Sequence, residues 1–274
     1  MLTEFTWQDS KGIQIQGVEW KPDGEVKGII TLVHGLGEHC RRYSHFAEFF
    51  NQHGLIVQSF DLPGHGKSAG IRGHIDSYDE VSGSIDYLTK RAVELYPDLP
   101  RFLYGHSLGG ALVTYHALYH TPDVRIVFAS APGMSPYNPV SPGKLFLANW
   151  MNKLFPTFTM KNDLDLSGLS RDPEVEKAYR ADPLVHGMIS ARLGLQLLNN
   201  GAKMLQATQI PLPYILMQGS ADRLVNPVMN IAWGERLKAD SHLKVWEGFY
   251  HELHNEPQKE AVFNYILAEI QSRM

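Results

Sequence analysis

Gly105-His106-Ser107-Leu108-Gly109 stands between the strand-like Pro100-Arg101-Phe102-Leu103-Tyr104 and the helix-like Ala111-Leu112-Val113-Thr114-Tyr115. A G-x-S-x-G between a strand and a helix is a nucleophile elbow, a turn so sharp that the serine stands exposed above the sheet edge. Such a turn forces strained backbone angles at the serine, and glycines on both sides remove the Cβ atoms that would clash. Taken alone, the pentapeptide also reads as a glycine-rich helix start with a serine cap. The strand before it and the helix after it favour the elbow.

The same alternation runs outward from this point. Phe5 to Gln8 and Ile13 to Trp20, split by Asp9-Ser10-Lys11-Gly12, predict an opening antiparallel hairpin. Strands are then expected at Gly28 to Val33, Leu55 to Phe60, Phe102 to Tyr104 and Ile126 to Ala129, with helices at Tyr43 to Gln52, at Tyr78 to Tyr96 and after Ser107. Fully apolar strands alternating with helices mean an α/β fold whose mostly parallel sheet is covered on both faces. From Pro132 the pattern breaks. Residues 133–207 carry Pro136, Pro139, Pro142, Pro156 and Pro173, with helical pieces between them and no convincing strand. Strands resume at Tyr214 to Gly219 and Leu243 to Trp246, and a last helix begins near Pro257. The expected organisation is one core of residues 1–132 and 208–274, into which a helical cap of residues 133–207 is inserted.

Bulk properties bound the function. The chain has 274 residues and a net charge of −4, with no Lys/Arg-rich run, so nothing marks it as a nucleic-acid binder. Cys40 is the only cysteine, which excludes an internal disulfide and fits a reducing compartment. Met1 to Asp9 has neither the basic nor the apolar region of a secretory signal, and no apolar run approaches a membrane span. These features predict a cytoplasmic location, at most peripheral to a membrane; they say nothing of oligomeric state.

A serine hydroxyl needs a base to take its proton and an acid to orient that base. In such sheets the ligand site lies at the carboxyl ends of the strands. Past the strand ending at Gln218 comes Gly219-Ser220-Ala221-Asp222-Arg223, and past Trp246 comes Gly248-Phe249-Tyr250-His251. Ser107, Asp222 and His251 thus follow the chain order Ser, Asp/Glu, His. Asp222 could instead be a turn or cap residue. An oxyanion hole would take the backbone N–H of Leu108, after the serine, and that of Leu36 in the early loop Val33-His34-Gly35-Leu36-Gly37.

His34-Gly35-Leu36-Gly37-Glu38-His39, Asp61-Leu62-Pro63-Gly64-His65-Gly66-Lys67-Ser68, Gly105-His106-Ser107-Leu108-Gly109-Gly110 and Tyr250-His251-Glu252-Leu253-His254 together resemble the monoacylglycerol lipase and lysophospholipase branch of the α/β-hydrolases. The resemblance covers most of the chain outside the cap. It implies Ser107 as nucleophile, His251 as base, Asp222 as orienting acid and a lipid-like ester as substrate, with no cofactor. It also implies that Glu38, Arg42 and His254 lie near the glycerol end of the substrate, and that the cap supplies an apolar channel for an acyl chain.

Other motifs fail on the residues themselves. His251-Glu252-Leu253-His254 places its second histidine one residue short of the zinc motif H-E-x-x-H, so no metal site is expected there. Gly64-His65-Gly66-Lys67-Ser68 lacks the earlier glycine of a P-loop, since that position is Asp61, and Gly35-Leu36-Gly37 lacks the third glycine of a dinucleotide fingerprint. His116 and His120, at i and i+4, read as a buried or surface pair. Leu145 to Phe155 has Asn149, Asn152 and Lys153 on one side and a wide apolar arc on the other. That pattern suits a helix packed in the cap, a lid that lines an acyl channel and touches a lipid interface transiently, or both. Esterase or thioesterase action on small soluble substrates stays open, as does proline-type aminopeptidase action using Asp163, Asp165, Glu174 and Glu176. So does a ligand sensor that kept a hydrolase fold.

Overall fold

The computed structural model describes residues 1–238 and 240–274. Strands β1 (Leu2–Gln8) and β2 (Gln14–Trp20) form the expected hairpin, with Gln8 opposite Gln14. Then β3 (Gly28–Val33), α1 (Ser44–Gln52), β4 (Leu55–Phe60), α2 (Tyr78–Leu95), β5 (Arg101–His106), α3 (Leu108–Tyr119) and β6 (Val127–Ser130) alternate. Every residue of β3, β4 and β6 is buried. That is why these strands read as mostly apolar runs: with helices on both faces, no side of the strand meets water, and the polar Gln58 and Ser59 of β4 donate inward to Thr31 and to the Leu32 carbonyl.

The chain leaves the sheet after β6. It forms α4 (Pro142–Leu154), β7 (Thr159–Lys161), α5 (Pro173–Ala181), β8 (Met188–Ser190) and α6 (Ala191–Met204). β7 and β8 pair antiparallel as a separate two-stranded ribbon, with Met160 opposite Ile189. Three-residue strands are too short to show a period-two pattern, so the sequence reads as strand-free here. The sheet resumes with β9 (Tyr214–Gly219), α7 (Pro227–Gly234) and β10 (Ser241–Trp246), and α8 (Lys259–Gln271) closes the chain. Asn226 caps α7 by accepting from the Met229 N–H, with Pro227 at the first turn, where its missing N–H costs nothing.

The eight strands lie in the order β1-β2-β4-β3-β5-β6-β9-β10. All pairs from β4 to β10 are parallel; β2 meets β4 antiparallel. One face packs on Phe46, Phe50, Phe263 and Ile266 of α1 and α8. The other packs on Val81, Ile85 and Leu88 of α2, Leu112 of α3 and Trp233 of α7. Register keeps the carboxyl ends level: Val33 lies beside Gly105, His106 beside Ser130, and Gly219 beside Trp246. All the candidate site loops therefore leave one edge.

Close packing at that edge depends on Gly109. A Cβ there would stand 2.1 Å from the Val33 carbonyl oxygen and 2.5 Å from that of His34. Both obstacles are backbone, which cannot swing aside. Gly109→Ala is expected to cost about 1–3 kcal/mol, read as a fall of roughly 2–4 °C in Tm per kcal/mol. Gly143→Ala, whose new methyl meets nothing within 4 Å, serves as control and should leave Tm unchanged or raise it.

Candidate active site

Ser107 joins β5 to α3 with φ 54° and ψ −116°, a left-handed backbone in a residue that has a Cβ. Such a conformation costs of order 1–3 kcal/mol and persists only when its surroundings enforce it. Here they do. The Ser107 N–H donates to Ser130 O at 3.0 Å, and its carbonyl accepts from Ala111 at 2.9 Å and Gly133 at 2.8 Å. The side chain makes no capping bond to α3, which rules out the serine-cap reading. Freed from that task, the hydroxyl stands at the carboxyl edge of the sheet.

Asp222 follows β9 and is buried with four donors around its carboxylate. Oδ1 accepts from Leu224 N at 2.8 Å and Val225 N at 3.0 Å; Oδ2 accepts from Gln218 Nε2 at 3.1 Å and His251 Nδ1 at 2.8 Å. A carboxylate so furnished has its oxygens satisfied away from water. Because Nδ1 of His251 faces this carboxylate, the proton sits on Nδ1 and the lone pair on Nε2. Burial disfavours the imidazolium, but the charge and hydrogen bond of Asp222, with Glu252 and Glu38 nearby, outweigh it and raise the His251 pKa above its ordinary value. Gly219 lets the two loops meet: a Cβ there would lie 2.3 Å from Tyr250 O. The His251 ring lies 4.7 Å, centroid to centroid, from that of His106, the residue before Ser107. Ser107 Oγ and His251 Nε2 make no hydrogen bond within the protein among the described residues. They are brought to the same edge, each free on the side that faces a ligand.

The N–H groups of Leu36 and Leu108 likewise donate to no protein acceptor among the described residues. The Leu36 loop runs alongside the serine, since a Cβ on Gly35 would lie 3.2 Å from Ser107 Cβ. Two undonated amides beside one serine form a place for negative charge to develop.

Glu38 and His254 lie buried behind this loop, with Arg42 half-buried between them and solvent. Glu38 Oε1 accepts from Gly35 N at 2.6 Å and from the Tyr43 hydroxyl at 2.8 Å, while Oε2 pairs with Arg42. Arg42 in turn makes a two-pronged bond to Glu252, both arms 2.9 Å, and its guanidinium lies over the Tyr179 ring at 4.7 Å. One arginine thus serves two carboxylates. Against the cost of burial, its double bond holds Glu252 down at about 2, whereas burial and the Glu252 charge leave the Glu38 pKa raised. His254 is fully buried, stacked on Tyr43 at 4.5 Å and edge-on to His106 at 4.7 Å, with neither ring nitrogen bonded. Burial keeps it neutral at neutral pH.

Three supporting groups escape a reading of the sequence. Gln218 donates to Asp222 and accepts from Asn230, which also reaches Pro132 O at 2.9 Å. The faint signal was an amide in an otherwise apolar strand end, Met217-Gln218-Gly219, matched by Asn230 inside an apolar helix. Ala131, with φ 44°, turns the chain sharply after β6 beside Ser107, and nothing in an alanine foretells that.

The family model for serine aminopeptidase S33 matches residues 24–258. The monoacylglycerol lipase of Mycolicibacterium smegmatis is 34 % identical, over 99 % of this chain and 98 % of its own length. The monoglyceride lipase of Mus musculus is 35 % identical over 92 % of this chain and 84 % of its own. Among solved structures, the monoacylglycerol lipase of Paleococcus ferrophilus superposes with a TM-score of 0.86 at 33 % identity, covering 95 % of this chain and 99 % of that one. With this sheet order, this serine turn and these relatives, the chain belongs to the serine aminopeptidase S33 family of α/β-hydrolase-fold serine hydrolases.

Proposed function

We propose that the protein hydrolyses the ester bond of monoacylglycerols, releasing a fatty acid and glycerol through an acyl-enzyme on Ser107. The observation that carries this is the buried Asp222–His251 pair at the edge where Ser107 stands beside two undonated amides. The substrate class is supported by the full-length likeness to monoacylglycerol lipases. His251 Nε2 takes the Ser107 proton as Oγ attacks the ester carbonyl, while the Leu36 and Leu108 N–H groups hold the oxyanion. Collapse of the tetrahedral adduct breaks the ester C–O bond, and His251 returns the proton to the leaving glycerol oxygen. Water, deprotonated by the same imidazole, then attacks the acyl-enzyme, and as the C–Oγ bond breaks to free the acid His251 returns the proton to Ser107 Oγ. Glu38, Arg42 and His254 lie behind the site and bear on the glycerol end through the loop they support. The aminopeptidase alternative calls for free carboxylates over the site to hold a substrate amine. Of the four, Asp165 is bound to Ser167, Glu174 to Lys177 and Glu176 to Arg180, while Asp163 is exposed at the surface.

Residues 133–207 are proposed to be a cap over the site, with α4 as its contact with lipid. No residue of α4 is buried. Phe146 is 75 % exposed, Trp150 52 %, and Phe155 and Phe158 continue the apolar face past the helix end. An exposed face of this size and aromatic content suits the boundary between headgroups and acyl chains, where the substrate resides. Among the described residues no helix is long and apolar enough to cross a membrane, so the contact proposed is with the surface.

Fatty-acid release from a long-chain monoacylglycerol tests the reading. Ser107→Ala or His251→Ala should remove on the order of 10⁶ in kcat. Asp222→Asn should cost on the order of 10⁴ and move the acid limb of the pH profile downward, because the carboxylate that raises the His251 pKa is gone. Activity within tenfold of wild type in any of the three would refute the assignment. For the cap, Phe146→Asp/Trp150→Ser should lower turnover of monoacylglycerol in vesicles at least several-fold while leaving a soluble short-chain ester unaffected. Equal loss on both substrates, or on neither, would remove the lipid-contact role.

A further inference from the structure

The Leu36 N–H can stabilise an oxyanion only if its peptide is held at a fixed angle, and the loop carrying it has no regular structure of its own. The Gly35 carbonyl of that same peptide accepts from His34 Nδ1 at 2.8 Å, Gly35 N donates to the buried Glu38 carboxylate at 2.6 Å, and Cys40 N donates to Asp61 Oδ1 at 2.9 Å. Between them the loop is held from outside, by the segment that follows α5. His186 N donates to Gly37 O at 2.8 Å, and His39 Nε2 bonds to Asp182 Oδ2 at 2.8 Å. The two backbones touch: Gly37 has φ +79°, and a Cβ on it would lie 2.3 Å from His186 O.

That segment is itself well fixed. Asp182 Oδ1 accepts from Leu184 N at 2.9 Å, which orients the carboxylate at the end of α5. His186 Nδ1 accepts from Met188 N, so Nε2 carries the proton and donates to Gly64 O at 3.1 Å. His39 is different, because its other ring nitrogen is buried and unpartnered. Among the described residues, Asp182 is its one side-chain hold.

We infer that the segment Asp182–His186 holds the outer side of this loop and so, together with His34, sets the angle of the oxyanion amide, with Asp182 a positioning residue that acts through His39. The inference rests on the proposed role of the Leu36 N–H. In this arrangement the inserted segment does more than cover the substrate: it completes the geometry that stabilises the transition state. A small misplacement of such a donor can cost up to about 10²-fold in rate.

The test is steady-state kinetics on a soluble p-nitrophenyl butyrate, with a trifluoromethyl ketone as an inhibitor that forms the tetrahedral adduct. Asp182→Ala should lower kcat about tenfold with KM within twofold, and weaken the ketone by a matching factor. Asp182→Asn keeps an oxygen that can accept from His39 and should restore both. His39→Leu deletes the same bond from the other side, and the double variant should be no worse than the worse single one. A change in KM alone, additive losses, or a drop in Tm with kcat and ketone affinity kept would each overturn the inference. A Ser107→Ala protein that still turned over would instead overturn the catalytic reading beneath it.

Discussion

The near-contact of Gly109 with the Val33 and His34 carbonyls is the constraint on which the site depends. It presses the first turn of α3 against the end of β3, two elements more than seventy residues apart. Only through that approach do the amides after Ser107 and within the Gly35–Gly37 loop face the same small volume. The left-handed serine is the other half of the arrangement. Its strain is offset by three backbone hydrogen bonds to Ser130, Ala111 and Gly133, so the turn is held by the sheet and not by its own preference.

Charge is handled in the same economical way. Two buried carboxylates flank the histidine: Asp222 behind its ring and Glu252 next in sequence. Each has its own donors, backbone amides and Gln218 for one, Arg42 and Asn255 for the other. A buried ion pair adds little net stability, because desolvation consumes most of the Coulombic gain. Breaking one is costly, however, and that asymmetry makes such pairs good fixtures. Arg42 links the Glu38 end of the Gly35–Gly37 loop to the Glu252 end of the histidine loop, so the two loops share a single rigid support.

Much of this was readable from the chain because the deciding constraints are local. Apolar runs of six residues bounded by turns placed β3, β4 and β9 to the residue, and a glycine-flanked serine between strand and helix located the elbow. Asp222 and His251 could be placed because a parallel sheet leaves its loops at one edge, so chain order carries spatial information. What escaped depends on partners distant in sequence. Three-residue strands β7 and β8 have no pattern of their own and exist only as a pair. Gln218 and Asn230 find each other across the β9–α7 connection, and the hold of Asp182 on His39 spans 143 residues. The pairing of Arg42 with Glu252, which ties the Glu38 loop to the histidine loop, spans 210 residues and has no local signal.

The central claim is that an acyl group passes through Ser107. Acid-quenching the enzyme during turnover of a long-chain monoacylglycerol, followed by peptide mass spectrometry, tests this directly. One acylated peptide is expected, the one that contains Gly105 to Gly109, with the ester on Ser107. Acylation at another residue, or sustained fatty-acid release with no acylated peptide in a quench fast enough to trap it, would contradict it.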